Sequence, residues 1–218
     1  MDTITALFNI ILHLDQFIST YVNHLGGWAY LLLFAVIFCE TGFVITPFLP
    51  GDSLLFAVGL TSAATCLNIH IIAPLLVLAA VCGDSCNYFL GRLIGKRIFK
   101  EDARILKTAH LDKAQSFFDK YGAAAIILAR FTPIVRTFMP FTAGMARMKY
   151  PKFVAVGILG AFIWVYSITY LAFMFSNNDF VRKNFGLFII VIIVISIIPA
   201  AISFIRAMKN KLFSKGSI

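Results

Sequence analysis

The sequence predicts an all-α integral membrane protein with two inverted re-entrant helical hairpins, about three full transmembrane helices and two amphipathic interfacial helices. Hydrophobic residues make up 60% of the 218 residues and charged residues 13%, which leaves too little polar surface to cover a water-soluble core. Two long apolar segments are interrupted by proline and carry charges. The basic residues are grouped in short stretches beside apolar segments, as they are on the cytoplasmic side of a membrane.

The remaining composition excludes several classes of function. The net charge of +9 does not indicate nucleic-acid binding, because the basic residues flank apolar segments instead of forming a continuous basic surface. The four cysteines lie in or at the ends of apolar stretches and are interpreted as small buried hydrophobic residues. The N-terminus lacks the basic region and cleavage site of a signal peptide, so we expect it to belong to the mature protein.

Residues 1–91 are predicted to form the first of two repeats. Residues 3–22 carry an apolar stripe at helical spacing and are expected to lie at the membrane interface or to pack against the helix bundle. The broken segment 25–66 follows, and residues 71–91 then form an ordinary span whose only charge is Asp84.

Residues 109–175 are predicted to form the second repeat after a cytoplasmic linker, 92–108. This repeat has the same order: a short amphipathic stripe over 111–121, the broken segment 121–146, and a charge-free span over 153–175. An extra span over 185–206 and a basic cytoplasmic tail, 207–218, complete the chain.

Prolines and glycines interrupt both broken segments, because proline removes a backbone donor and glycine weakens a continuous helix. The arm 122–132 has 11 residues and reaches roughly 16 Å, about half the hydrocarbon thickness. It enters the bilayer without crossing it. The predicted hairpin breaks are Pro47, Pro50 and Gly51 in the first segment, and Pro133, Pro140 and Gly144 in the second.

The distribution of Lys and Arg indicates that segment 121–146 turns back. Eight basic residues lie in 92–120, three in 147–152, two in 177–183 and four in 206–215. A hairpin places fifteen on one side of the membrane against two, whereas a crossing segment divides them ten against seven. The positive-inside rule favours the hairpin and a cytoplasmic linker and C-terminus. Residues 25–45 are long enough to span alone, so the first hairpin rests on less evidence.

Four charges within the broken segments mark the candidate site. Leaving Glu40, Asp52, Arg130 and Arg136 unpaired in the bilayer would cost on the order of 10 kcal/mol in sum, which predicts that acids of one hairpin pair with arginines of the other. Structural salt bridges are the simpler interpretation, but buried ion pairs are poor stabilisers. We therefore expect Arg130 and Arg136 to bind phosphate through their planar forks, and Glu40 and Asp52 to exchange a proton or gate the substrate. Asp84 is a weaker candidate.

Several separate stretches of the chain form an ordered set of motifs. They are Phe38 to Gly42, Pro47 to Ser53, Gly83 and Asp84 with Asn87 and Tyr88, Gly91 and Arg92, Ala129 to Phe131, Pro133, Arg136 and Thr137, Pro140, and Ala143 to Met145. In this order they resemble the bacterial DedA family, which is related to lipid scramblases that carry the VTT domain. The resemblance covers nearly the whole chain. It implies an inner-membrane protein with two opposed re-entrant hairpins, essential acids at Glu40 and Asp52, and essential arginines at Arg130 and Arg136.

The resemblance implies transport of an anionic lipid, undecaprenyl phosphate or phospholipid, linked to the proton motive force and supporting envelope homeostasis. Its partners would be that lipid and protons, and assembly into a homo-oligomer is an open alternative. A proton-coupled small-ion or drug antiporter is the alternative. An intramembrane enzyme is not expected, and neither is a cofactor or metal, because no metal-ligand motif is present. The four histidines are scattered outside the hairpins: His13, His24, His70 and His110.

Overall fold

The computed structural model describes residues 22, 24–43, 51–63, 65–98, 126–127, 130, 133–178, 180–181, 187–188 and 191. Most of these residues are helical, the others lie in turns, bends or irregular segments, and none of the described residues is in a strand. Five helices are defined among them: α1 (Trp28–Gly42), α2 (Gly51–Ser62), α3 (Ile69–Ile98), α4 (Pro133–Met145) and α5 (Tyr150–Met174).

The two longest helices correspond to the predicted spans 71–91 and 153–175, which are confirmed as helices. The Ile69–Ile94 part of α3 and the whole of α5 are long and apolar enough to cross a membrane. Large apolar side chains such as Leu78 and Leu159 are exposed on them, as expected for surfaces in contact with lipid. Helix α3 continues to Ile98, so the first residues of the predicted linker are helical. The predicted helices over 3–22 and 111–121, and most of the predicted span 185–206, lie outside the described residues.

The first broken segment contains two separate helices. Helix α1 ends at Gly42, where Phe43 adopts an extended conformation with φ −113° and ψ 120°, and α2 begins at Gly51. With 15 and 12 residues, they are about 22 Å and 18 Å long, and each is shorter than the hydrocarbon layer. Gly51 therefore lies at the predicted break, whereas Pro47 and Pro50 lie outside the described residues.

In the second broken segment, Arg130 lies in a turn and α4 begins at Pro133. The first position of a helix is favoured for proline. The predicted break at Pro140 is wrong, because α4 continues through it to Met145. Pro140 has no N–H, so the carbonyl of Arg136 loses its regular helical partner. A membrane helix tolerates such a loss where neighbouring groups supply other hydrogen bonds, and the Asn87 side chain donates to the next carbonyl, that of Thr137, at 2.7 Å.

The second helix of each broken segment packs on the long helix of the other half. Helix α2 lies along α5, and α4 lies along α3. Glycines permit both contacts: a Cβ on Gly59 would collide with the carbonyl of Thr169, and a Cβ on Gly144 would collide with that of Tyr88. Gly144 is the second-last residue of α4, which ends at Met145, so the predicted break lies within one residue of the helix end. Gly144 also allows two backbones to approach closely, as small residues do in membrane proteins.

Candidate functional site

Arg136 joins the two broken segments through two ion pairs. It extends from the first turn of α4, where its Nη1 donates to Oδ1 of Asp52 at 2.9 Å and its Nη2 donates to Oε1 of Glu40. Glu40 lies at the end of α1 and Asp52 at the start of α2, so one guanidinium connects both helix ends. Arg136 and Glu40 are 5% and 2% exposed, which makes this a desolvated charge cluster.

Trp164 of α5 completes this cluster from the second half of the chain. Its indole Nε1 donates to Oδ1 of Asp52 at 2.8 Å, and the guanidinium carbon of Arg136 lies 4.3 Å from the centre of its ring. A cation over an indole face is attracted by the ring quadrupole. Trp164 therefore orients the acid and covers the base of the same ion pair.

The carboxylate of Glu40 lies against the N-terminus of α2. A Cβ at position 51 would collide with both oxygens of this carboxylate. The positive end of a helix dipole favours a carboxylate. Gly51 is thus required for the close approach of Glu40 to the start of α2.

Arg130 belongs to a second ion pair. Its Nη2 donates to Oδ2 of Asp84, in the middle of α3, and to the backbone carbonyl of Gly157 at 3.2 Å. Gly160, one turn further along α5, makes room for the arginine stem, because a Cβ there would lie 2.9 Å from Cδ of Arg130. Arg130 and Asp84 are 4% and 5% exposed, so this pair is also buried.

Asn87 lies one turn after Asp84 on α3 and bonds to the backbone beside the Arg136 cluster. Its Nδ2 donates to the carbonyls of Thr41 at 3.2 Å and Thr137 at 2.7 Å. Each of these threonines directly follows a member of the Arg136 cluster in the sequence. Because both amide hydrogens are used, Asn87 fixes the end of α1 and the first half of α4 on one long helix.

The structure brings together three of the four predicted hairpin charges. Glu40 and Asp52 of one segment meet Arg136 of the other, as the pairing argument predicts. Arg130 instead pairs with Asp84, which the sequence indicated only weakly.

Sequence reasoning missed the hydrogen bonds of Trp164 and Asn87 in the site. A usable signal was the small-residue face Gly157, Gly160 and Ala161 on the same side of α5 as Trp164, because small residues mark the surface where membrane helices pack.

An apolar cavity of about 260 Å³ begins one helical turn from the Arg136 cluster. Its wall includes Phe56, four residues after Asp52 on α2, and Ile168, four residues after Trp164 on α5. The lining presents no polar surface. The other lining residues are Leu171, Phe175, Val181 and Phe188.

In the part of the chain that the structure describes, no group of three or more His, Cys, Asp or Glu side chains could hold a metal ion. The charged groups of the site are largely buried carboxylates and guanidinium groups. These groups can bind an anion, and the carboxylates can accept or release a proton.

Comparisons with known proteins match most of the chain. The model of the VTT domain family matches residues 49–174. Protein DedA of Escherichia coli strain K12 is 47% identical over 209 residues, covering 94% of this chain and 95% of that protein. The uncharacterized membrane protein Rv0364 of Mycobacterium tuberculosis strain H37Rv is 42% identical, covering 81% of this chain and 78% of that protein. The inner membrane protein YqjA of E. coli strain K12 is 31% identical and covers 72% of each chain. No solved structure matches the chain.

Proposed function

The chain belongs to the DedA family of VTT-domain membrane proteins, and from this premise we propose that it moves an anionic lipid between the leaflets of the bacterial inner membrane. The lipid would be undecaprenyl phosphate or a phospholipid, and its movement would be linked to the proton motive force. The observation that carries this proposal is the buried contact of Arg136 with Glu40 and Asp52 between two interrupted segments.

Buried charge at interrupted helices is typical of transport sites. Charged side chains inside a membrane are costly, and they persist where they face a substrate or ion pathway. Helices that stop within the bilayer and meet near its midplane form the binding sites of many secondary transporters. We therefore propose that α1 with α2, and the arm before Pro133 with α4, form two opposed re-entrant hairpins, with the 92–120 stretch and the C-terminus in the cytoplasm.

Each charged group has a role in this proposal. The guanidinium groups of Arg130 and Arg136 would bind the phosphate, because their planar arrays of donors match its oxygens. Glu40 and Asp52 would take up protons and thereby release Arg136, since a neutral carboxyl holds a guanidinium less strongly than a carboxylate does. Proton uptake at these acids would connect substrate binding to the proton gradient.

The apolar cavity favours a lipid over a small polar solute. Its wall of aromatic and aliphatic side chains lies one helical turn from Asp52 and Trp164. A hydrocarbon chain beside a phosphate at the charged cluster would occupy such a space without desolvating any polar group. A proton-coupled small-ion or drug antiporter, the second candidate, uses the same acids but has no need of this surface beside them.

Reconstitution in liposomes tests the proposal. Purified protein is inserted into vesicles that contain either polyprenyl phosphate or labelled phospholipid, and the fraction of lipid exposed on the outer face is followed with and without a pH gradient. We expect protein-dependent movement of at least one lipid, accelerated by the gradient. Arg136→Lys is the matched variant, because it keeps the charge and loses the fork. Proton-coupled ion flux without movement of either lipid would support the antiporter and contradict the proposal.

A further inference from the structure

The two buried arginines differ in how completely the protein occupies their donors. Arg136 uses Nη1 for Asp52, Nη2 for Glu40 and one face for Trp164, and only its Nε has no partner among the described residues. Arg130 makes both of its hydrogen bonds through Nη2, while its Nε and Nη1 have no partner among the described residues. Buried donors without partners are uncommon in native structures and indicate a missing ligand or water.

The net charges of the Arg136 cluster and of the pair of Arg130 with Asp84 also favour Arg130 as the anion site. With Glu40 and Asp52 ionised, the Arg136 cluster has one more negative than positive charge, so it repels an incoming anion. The pair of Arg130 with Asp84 is formally neutral and contains a single carboxylate. A phosphate at Arg130 therefore competes with one carboxylate, whereas a phosphate at Arg136 competes with two carboxylates on a guanidinium that an indole ring covers.

The displaced group stays near the site because Asp84 lies in the middle of the long helix α3. The carboxylate of Asp84 interacts electrostatically with both Arg130 and Arg136. A buried carboxylate that loses its counter-ion becomes unstable unless it takes up a proton. Release of the phosphate would reverse the exchange, as Asp84 returns its proton to water and pairs again with Arg130.

We propose that Asp84 occupies on Arg130 the position that the phosphate group of a lipid takes, so that the carboxylate and the phosphate monoester compete for one guanidinium. This inference rests on the proposed function and deepens it. It assigns the first phosphate contact to Arg130, and the contact with Arg136 follows when Glu40 and Asp52 take up protons. Asp84 is a resident ligand that the substrate replaces, which goes beyond a structural ion pair.

Binding measurements on Asp84→Asn test this competition. The full chain in nanodiscs of zwitterionic lipid is titrated calorimetrically with farnesyl phosphate, a short prenyl phosphate, and separately with inorganic phosphate. We expect Asp84→Asn to bind farnesyl phosphate at least about tenfold more tightly than the wild-type chain and to move lipid more slowly, because nothing displaces the bound phosphate. Ser85→Ala, next to Asp84 on α3, is the comparison, and its affinity should change less than about threefold, because the Ser85 hydroxyl bonds to the carbonyl of Val81 and to the hydroxyl of Tyr150.

The double variant Asp84→Asn with Arg130→Gln separates this inference from a structural ion pair. A purely structural pair predicts that the neutral double variant binds and transports like the wild-type chain, whereas competition predicts that it loses farnesyl phosphate binding. Asp84→Ser replaces Asp84→Asn if the latter does not fold, with the same expectation. Equal affinity for inorganic and farnesyl phosphate would show that the exchange operates on free phosphate, and a preference for farnesyl phosphate assigns it to a lipid headgroup.

The two proposals fail in different ways. Wild-type protein that moves no lipid in liposomes contradicts the proposed function. Wild-type protein that moves lipid, together with an Asp84→Asn variant that binds farnesyl phosphate no more tightly, contradicts the role of Asp84 alone.

Discussion

The indole N–H of Trp164 donates to the carboxylate of Asp52 at 2.8 Å, which joins the long helix of the second half to the hairpin of the first. The same ring lies 4.3 Å from the guanidinium carbon of Arg136. The cluster therefore includes a neutral aromatic residue that sets the positions of its charges.

Trp164→Phe should weaken the cluster while keeping an aromatic face over Arg136. The substitution leaves Asp52 without one of its donors, and losing a hydrogen bond to a charged group costs about 1.5 to 3 kcal/mol. A denaturant titration in mixed detergent measures the change. Trp28→Phe is the control, because Trp28 is 71% exposed, and its effect should stay within about 0.5 kcal/mol. Equal stability of the two variants would contradict a structural role for the indole N–H.

Neutralising Arg136 alone should be worse for stability than neutralising its whole cluster. Arg136→Gln leaves two acids without their counter-ion, which costs about 3 to 5 kcal/mol. Adding Glu40→Gln and Asp52→Asn should recover at least about half of that loss. Stability is measured in detergent and lipid movement in liposomes.

Lipid movement should fall at least about tenfold in both the single and the triple variant. A triple variant with normal abundance and normal lipid movement would mean that these charges only hold the hairpins together.

Gly144→Ala should destabilise the contact between α4 and α3. Its Cβ would collide with the carbonyl of Tyr88, and overpacking of this kind costs typically about 1 to 3 kcal/mol. Gly157→Ala is the matched control on α5, because its Cβ would meet nothing within 4 Å and alanine is the better helix former. Thermal unfolding of both variants checks the difference, and a Gly144→Ala variant as stable as Gly157→Ala would contradict the packing described.

Arg147→Gly should stabilise the protein. Arg147 follows α4 in a left-handed conformation with φ 53°, and its N–H and that of Met148 bond back to Gly144 and Ala143. This conformation costs a residue with a Cβ about 1 to 2 kcal/mol and costs glycine little. Part of this gain is lost because glycine has more conformational freedom in the unfolded chain. We expect a net gain of about 0.5 to 1 kcal/mol in a detergent unfolding titration. Arg147→Ala, which keeps the Cβ, should give no such gain.

Local sequence signals predicted much of the fold. The apolar runs around Asp84 and Trp164 are long enough to span a bilayer, and both are helices in the structure. The predicted break at Pro140 is wrong because the effect of a proline or a glycine on a helix depends on the groups packed around it as well as on its own backbone. Within the membrane, Asn87 supports the backbone around Pro140 and the close approach of Tyr88 requires Gly144. Neither contact is visible in the sequence around these residues.

The sequence by itself determined that buried acids and arginines must pair, because hydropathy places them in lipid and an unpaired charge there is too costly. Only the tertiary structure decided the partners. Three acids and two arginines allow several pairings of similar charge, and the contact of α4 with α3 and of α2 with α5 selects among them. Arg136 thereby pairs with Glu40 and Asp52, and Arg130 pairs with Asp84, 46 positions away along the chain. The physical reason is that the cost of an unpaired charge decides how many charges need a partner, whereas helix packing decides which acids come within hydrogen-bond distance of which arginine.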